Sequence, residues 1–88
     1  MKRFELNGLK FTSREEAYRY MREVFEFPEY FGNNLDALWD ELSFSKDMFI
    51  EIRNARAIAK QLGEYGLKIL DIFGDLDEIE GIIVFIKW

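Results

Sequence analysis

Asp36 and Asp40 stand four residues apart, with Trp39 between them, in the stretch Pro28-Glu29-Tyr30-Phe31-Gly32-Asn33-Asn34-Leu35-Asp36-Ala37-Leu38-Trp39-Asp40-Glu41-Leu42. The apolar spacing of Leu35, Leu38 and Leu42 predicts a short helix here, and residues four apart on a helix are surface neighbours. Two carboxylates so placed repel each other by a few tenths of a kcal/mol, which a lysine at either position would relieve. Paired acids beside an indole can do two kinds of chemistry. They can receive a cationic group of another protein, or they can hold a metal or act as an acid–base pair. A divalent ion of the magnesium or calcium type needs about six oxygens, and the Asp-x-x-x-Asp spacing offers only two side chains. The chain has no histidine and no cysteine, so the commonest general base, the commonest metal ligands and thiol nucleophiles are all missing. The expectation is a binding protein, not an enzyme, with no cofactor.

Each residue also has a plainer reading. Asp36 sits where the helix dipole favours an acid, and Asp40 fits a solvated helix face. Trp39 adjoins Leu38 and is at home half-buried. Tyr30 and Phe31 can tie the loop to the core, and Gly32 can supply a backbone angle that other residues avoid. Taken together, aromatics, a glycine and acids on one short helix resemble the anchors that protein interfaces favour. An acidic binding surface and a plain solvated face both remain open on these residues.

The elements that must position this stretch follow from periodicity. A strand is expected around Arg3 to Leu6, with a turn at Asn7-Gly8. Ser13-Arg14-Glu15-Glu16 is a capping-box pattern, and Ala17, Tyr20, Met21, Val24 and Phe25 follow at helical spacing. Pro28 is expected to close that helix, and Asn33 or Asn34 to cap the next. Met48 to Ile52 reads as a second strand, Asn54 to Gly63 as a short helix, and Glu64 or Gly66 to Leu76 as a fourth helix with Ile69, Ile72 and Phe73 inward. Ile82 to Ile86 is a continuous apolar run, expected to be a strand buried on both faces. Strands separated by helices pair in parallel through right-handed crossovers. The fold class is therefore α/β, a three-stranded parallel sheet with four helices, in one domain over residues 1–88.

Charge adds direction. Residues 29–47 carry five acids against Lys46 alone, and residues 71–80 carry five acids and no base, within a chain of formal charge −5. Brought together, these segments would make an acidic pole that steers basic partners. The same balance argues against direct nucleic-acid binding, which needs cations to neutralise phosphates. No apolar run approaches the roughly 20 residues of a membrane span, and Lys2-Arg3 is followed by no apolar core of a signal peptide. A cytoplasmic, monomeric protein with no membrane partner is expected.

Residues 28–42 closely resemble the signature segment of the barstar family, intracellular inhibitors of secreted ribonucleases. Further matches lie at Lys60-Gln61-Leu62, at Leu70 to Phe73 and at Glu80-Gly81. The resemblance implies an inhibitor that plugs a basic, barnase-like ribonuclease with a helix and its adjoining loop. Carried over by position, Asp40 would be the main anchor, Asp36 a second acid, and Tyr30 and Trp39 flanking contacts, with Phe31 also among the partner-binding residues. Gly32 and Asn34 would allow close approach, and Asp75 would stand where the family has an acidic residue one methylene longer. The chain departs from the pattern at the rim. Phe31 replaces a tyrosine, Ser43-Phe44-Ser45 replaces a Thr-Gly-Trp run, and Glu41 takes the place of a cysteine. The altered rim keeps a second expectation alive, a regulatory module on the same fold for a basic partner that is not a nuclease.

Overall fold

Three short segments, Lys2–Asn7 (β1), Met48–Arg53 (β2) and Ile82–Ile86 (β3), pair in parallel to form one sheet in the order β1-β2-β3. The computed structural model describes every residue, Met1–Trp88. Between the strands run Arg14–Phe25 (α1), Leu35–Phe44 (α2), Ala55–Leu62 (α3) and Glu64–Leu76 (α4). The α/β class, the parallel sheet and the four helices match the expectation from sequence.

The pleat decides which side chains enter the core. Leu6, Ile50 and Ile52 are fully buried, Met48 and Ile82 almost so, and Phe4, Val84 and Ile86 pack against them. Phe11, Tyr18, Met21, Leu38, Leu42, Ile58, Ile69, Phe73 and Leu76 supply the helical side of the same core. The opposite sheet face carries Arg3, Glu5, Phe49, Glu51, Arg53, Ile83 and Phe85 and faces solvent. The expectation that β3 is buried on both faces is thereby corrected, since Ile83 and Phe85 are 46% and 51% exposed. The strand lies at an edge, and the helices cover one face only.

Local chemistry sets the ends of the helices. The Ser13 hydroxyl accepts from the Glu16 amide at 3.1 Å, but the Glu16 carboxylate pairs with Arg19, so only half of a capping box forms. Helix α1 ends at Glu26 in the left-handed region, two residues before Pro28, so the proline is not the terminator. The expected turn at Asn7-Gly8 is a single 3-10 turn over Gly8–Lys10, capped by the Asn7 side chain. Gly66 lets α3 and α4 pack closely, because a Cβ there would lie 2.3 Å from the Ile58 carbonyl oxygen. Each outer strand hands one backbone N–H to a side chain: Asn7 donates to the Tyr20 hydroxyl and Val84 to the Asp77 carboxylate, both at 2.8 Å. Such plugs blunt exposed strand edges.

Candidate functional site

The loop between α1 and α2 is built on stacked rings. Phe25 stacks on Phe27 with centroids 5.4 Å apart, Phe27 on Phe31 at 4.6 Å, and Phe31 tilts against Tyr18 at 6.1 Å. Phe31 is 6% exposed, whereas its neighbour Tyr30 is 85% exposed. The two adjacent aromatics therefore do different things: Tyr30 offers surface, and Phe31 holds the loop down from beneath. Phe31, expected among the partner-binding residues, is thus a buried ring beneath the loop and not an exposed one. A ring without a hydroxyl suits that buried position, where a polar group would need a partner.

Asn34 joins loop to helix. Its side-chain oxygen accepts from the Ala37 amide at 2.8 Å, and its amide donates to the Gly32 carbonyl at 3.1 Å. It is thus the N-cap of α2, while Asn33 occupies the left-handed region. Gly32 has no positive φ, so its backbone angle is not what favours glycine there. A Cβ at Gly32 would instead lie 3.0 Å from the Asn34 amide nitrogen and crowd the cap.

From this cap, α2 turns Leu38 and Leu42 into the core and Asp36 and Asp40 outward. Helix α4 packs beside it. Between them lies an open cleft of about 580 Å³, lined by Leu35, Asp36, Trp39, Asp40, Lys68, Ile72 and Asp75. Leu35, Trp39 and Ile72 form its apolar floor, each half-buried against the core. The three carboxylates Asp36, Asp40 and Asp75 come together here from the two acidic segments, and none takes part in any of the three ion pairs of the molecule. Of the five acids in residues 71–80 only Asp75 lines the cleft, Asp77 being spent on the β3 edge. No three acidic side chains stand close enough to hold a metal ion.

One residue of this surface was not singled out by sequence reasoning. Lys68 is the one cation in the cleft lining, and it falls on the face of Ile72 and Asp75 at helical spacing, a signal that was available. Phe44, 85% exposed, continues the Asp36–Asp40 line by one further turn of α2.

Comparison with known proteins decides the family. The model of the family described as Barstar (barnase inhibitor) matches residues 1–84. The chain belongs to the Barstar family. It is also 29% identical, over 80 residues, to a Bacillus subtilis (strain 168) protein named "Putative ribonuclease inhibitor YrdF". That match covers 89% of this chain and 88% of the relative. The barstar-like segment of the sequence, residues 28–42, therefore coincides with the loop, cap and helix that build one wall of the acidic cleft. No helix is long and apolar enough to cross a membrane.

Proposed function

We propose that this protein is a cytoplasmic inhibitor of a basic, barnase-like ribonuclease, and that it blocks the enzyme's active site with α2, the 28–34 loop and the facing edge of α4. The observation that carries the reading is the meeting of Asp36, Asp40 and Asp75 in one cleft without an internal counter-ion pair. A ribonuclease must be cationic where RNA phosphates bind. A carboxylate accepts the same charge-assisted hydrogen bonds as a phosphate oxygen. Asp40, deepest in the helix and outside any cap, is the anchor. Asp36 and Asp75 are the flanking acids, and Tyr30 and Trp39 supply aromatic contact area. Gly32 and Asn34 set the height of the loop, and Phe31 supports it. Family membership and the name of the Bacillus subtilis relative support the same target class.

The exposed Phe44 in the rim favours one alternative, a basic partner that is not a nuclease. Titration of a panel of microbial ribonucleases with the protein, following RNA cleavage, separates the two. One-to-one inhibition by the monomeric protein is the expected result. Absence of inhibition across the panel would overturn the nuclease reading in favour of the alternative.

A further inference from the structure

On the α1 side of the 28–34 loop, a second cleft carries the opposite charge. Arg14, Arg19 and Arg22 line it with Glu15, Tyr18 and the loop residue Asn33, around about 470 Å³. Three guanidiniums meet a single carboxylate there, in a chain of formal charge −5. The arginines are not loose surface charges. The Arg14 guanidinium lies 4.1 Å above the Tyr65 ring, and the Tyr65 hydroxyl is hydrogen-bonded to that of Tyr18 in the cleft lining. Arg19 is braced by Glu16 at 3.2 Å, and Arg22 forms no ion pair. Arg22 lines the same cleft without an ion pair, and Arg14 is already oriented on an aromatic ring.

We propose that this cleft is a second recognition site, which takes a carboxylate-bearing segment of the same protein partner whose cationic site receives Asp36 and Asp40. The proposal rests on the inhibitor reading above. Asn33 lines the basic cleft and Asp36 the acidic one, so three residues, no more than about 11 Å of chain, separate the two linings. A stable protein interface covers about 800 Å² on each partner, far more than that separation requires. A partner seated on Tyr30 and Asp36 therefore reaches across Asn33 to α1. Burying guanidiniums there without acids opposite leaves uncompensated charge, which is strongly unfavourable. The ribonuclease that fits must then carry an acidic side chain on the rim of its basic site. Guanidinium forks match carboxylates with two parallel hydrogen bonds.

RNA is the less suited occupant. Glu15 lies in the lining, and the three carboxylates across the loop repel any strand long enough to follow the surface. A lone side-chain carboxylate meets Glu15 against three guanidiniums, and is too short to follow the surface to the acids across the loop. The consequence is a bipolar surface that fixes the orientation of the partner and disfavours ribonucleases without a rim acid.

The test is the affinity of a ribonuclease that the wild-type protein inhibits, measured for wild type, the double variant Arg14→Glu with Arg22→Glu, the double variant Arg14→Lys with Arg22→Lys, and Asp40→Ala. The glutamate pair is expected to weaken binding at least about tenfold. The lysine pair should keep most of the affinity, and thermal melting should confirm that both are folded. Unchanged affinity in the glutamate pair, with Asp40→Ala still impaired, overturns the cleft and leaves the inhibitor reading intact. Failure of the wild type to bind any ribonuclease overturns that reading and the cleft with it. A fluorescent oligouridylate is expected not to bind, and binding abolished by the glutamate pair would reassign the cleft to nucleic acid.

Discussion

The open face of the sheet and the α2–α4 cleft are both exposed surfaces that mix acids with aromatics, yet their charges are organised in opposite ways. On the sheet face Glu5 pairs with Arg53 at 3.8 Å and Glu51 with Lys87 at 3.5 Å, while Arg3 lies 4.5 Å over Phe49 and Lys87 lies 5.7 Å from the centre of Phe85. Each acid has a cation, and two of the rings are covered by one. In the cleft, three acids stand without a paired base, and on the adjoining loop Tyr30 projects uncovered. A surface meeting only solvent gains a little from pairing its charges, as the sheet face does. A surface that leaves like charges together forgoes that gain and keeps its acceptors for an external cation.

The largest effect on stability should split the adjacent aromatics of the loop. Phe31→Ala is expected to destabilise the fold by about 3 kcal/mol, as removal of a buried ring does. Tyr30→Ala should stay within about 0.5 kcal/mol. Urea denaturation of the two variants checks this, and equal losses would refute the division of labour between them.

Alkaline pH probes the floor of the basic cleft. Burial pushes the Tyr18 hydroxyl well above its ordinary value of 10.0, and the hydrogen bond with Tyr65 pushes it further the same way, against a smaller opposite pull from Arg14. The unfolded chain releases this proton near pH 10 while the folded chain keeps it, so stability present below that pH declines as pH rises above it. The decline should be shallower in Tyr18→Phe, as followed by melting temperature between neutral pH and pH 11.

Smaller effects sharpen the contrast at the helix itself. Asn34→Ala removes the α2 cap and should cost about 1 kcal/mol. Asp40→Asn relieves the repulsion with Asp36 and should raise stability by a few tenths of a kcal/mol. Glu51→Gln, on the paired face, should lower it by about as much. Opposite signs in these last two, read from denaturation midpoints, are the thermodynamic signature of the two kinds of surface.

Much of this architecture was legible from periodicity, because long apolar repeats have one sensible period. The α2 stripe, the Asp36–Asp40 pair and the parallel order of strands all follow from it. The remainder required tertiary contacts. Tyr30 and Phe31 sit in a loop, where no period tells an outward ring from an inward one. The Ile82–Ile86 run reads alike whether one or both faces are covered, and only the missing second helical layer decides. Asp75 enters the cleft because α4 lies beside α2, a packing fact that resemblance anticipated and residue spacing could not. Tyr18 and Tyr20 are two residues apart, yet one is buried in the core and the other reaches back to the Asn7 amide.

On the proposed function, the unpaired acids of the cleft, unlike the paired acids of the sheet, are held for a basic partner. Calorimetric titration of an inhibited ribonuclease with wild type, Asp40→Ala and Glu51→Ala tests it directly. Asp40→Ala should weaken binding by about 3 kcal/mol, roughly a hundredfold, because it leaves the enzyme's cation buried without its counter-charge. Glu51→Ala should bind like wild type. Equal affinities for all three proteins, or a loss confined to Glu51→Ala, would contradict it.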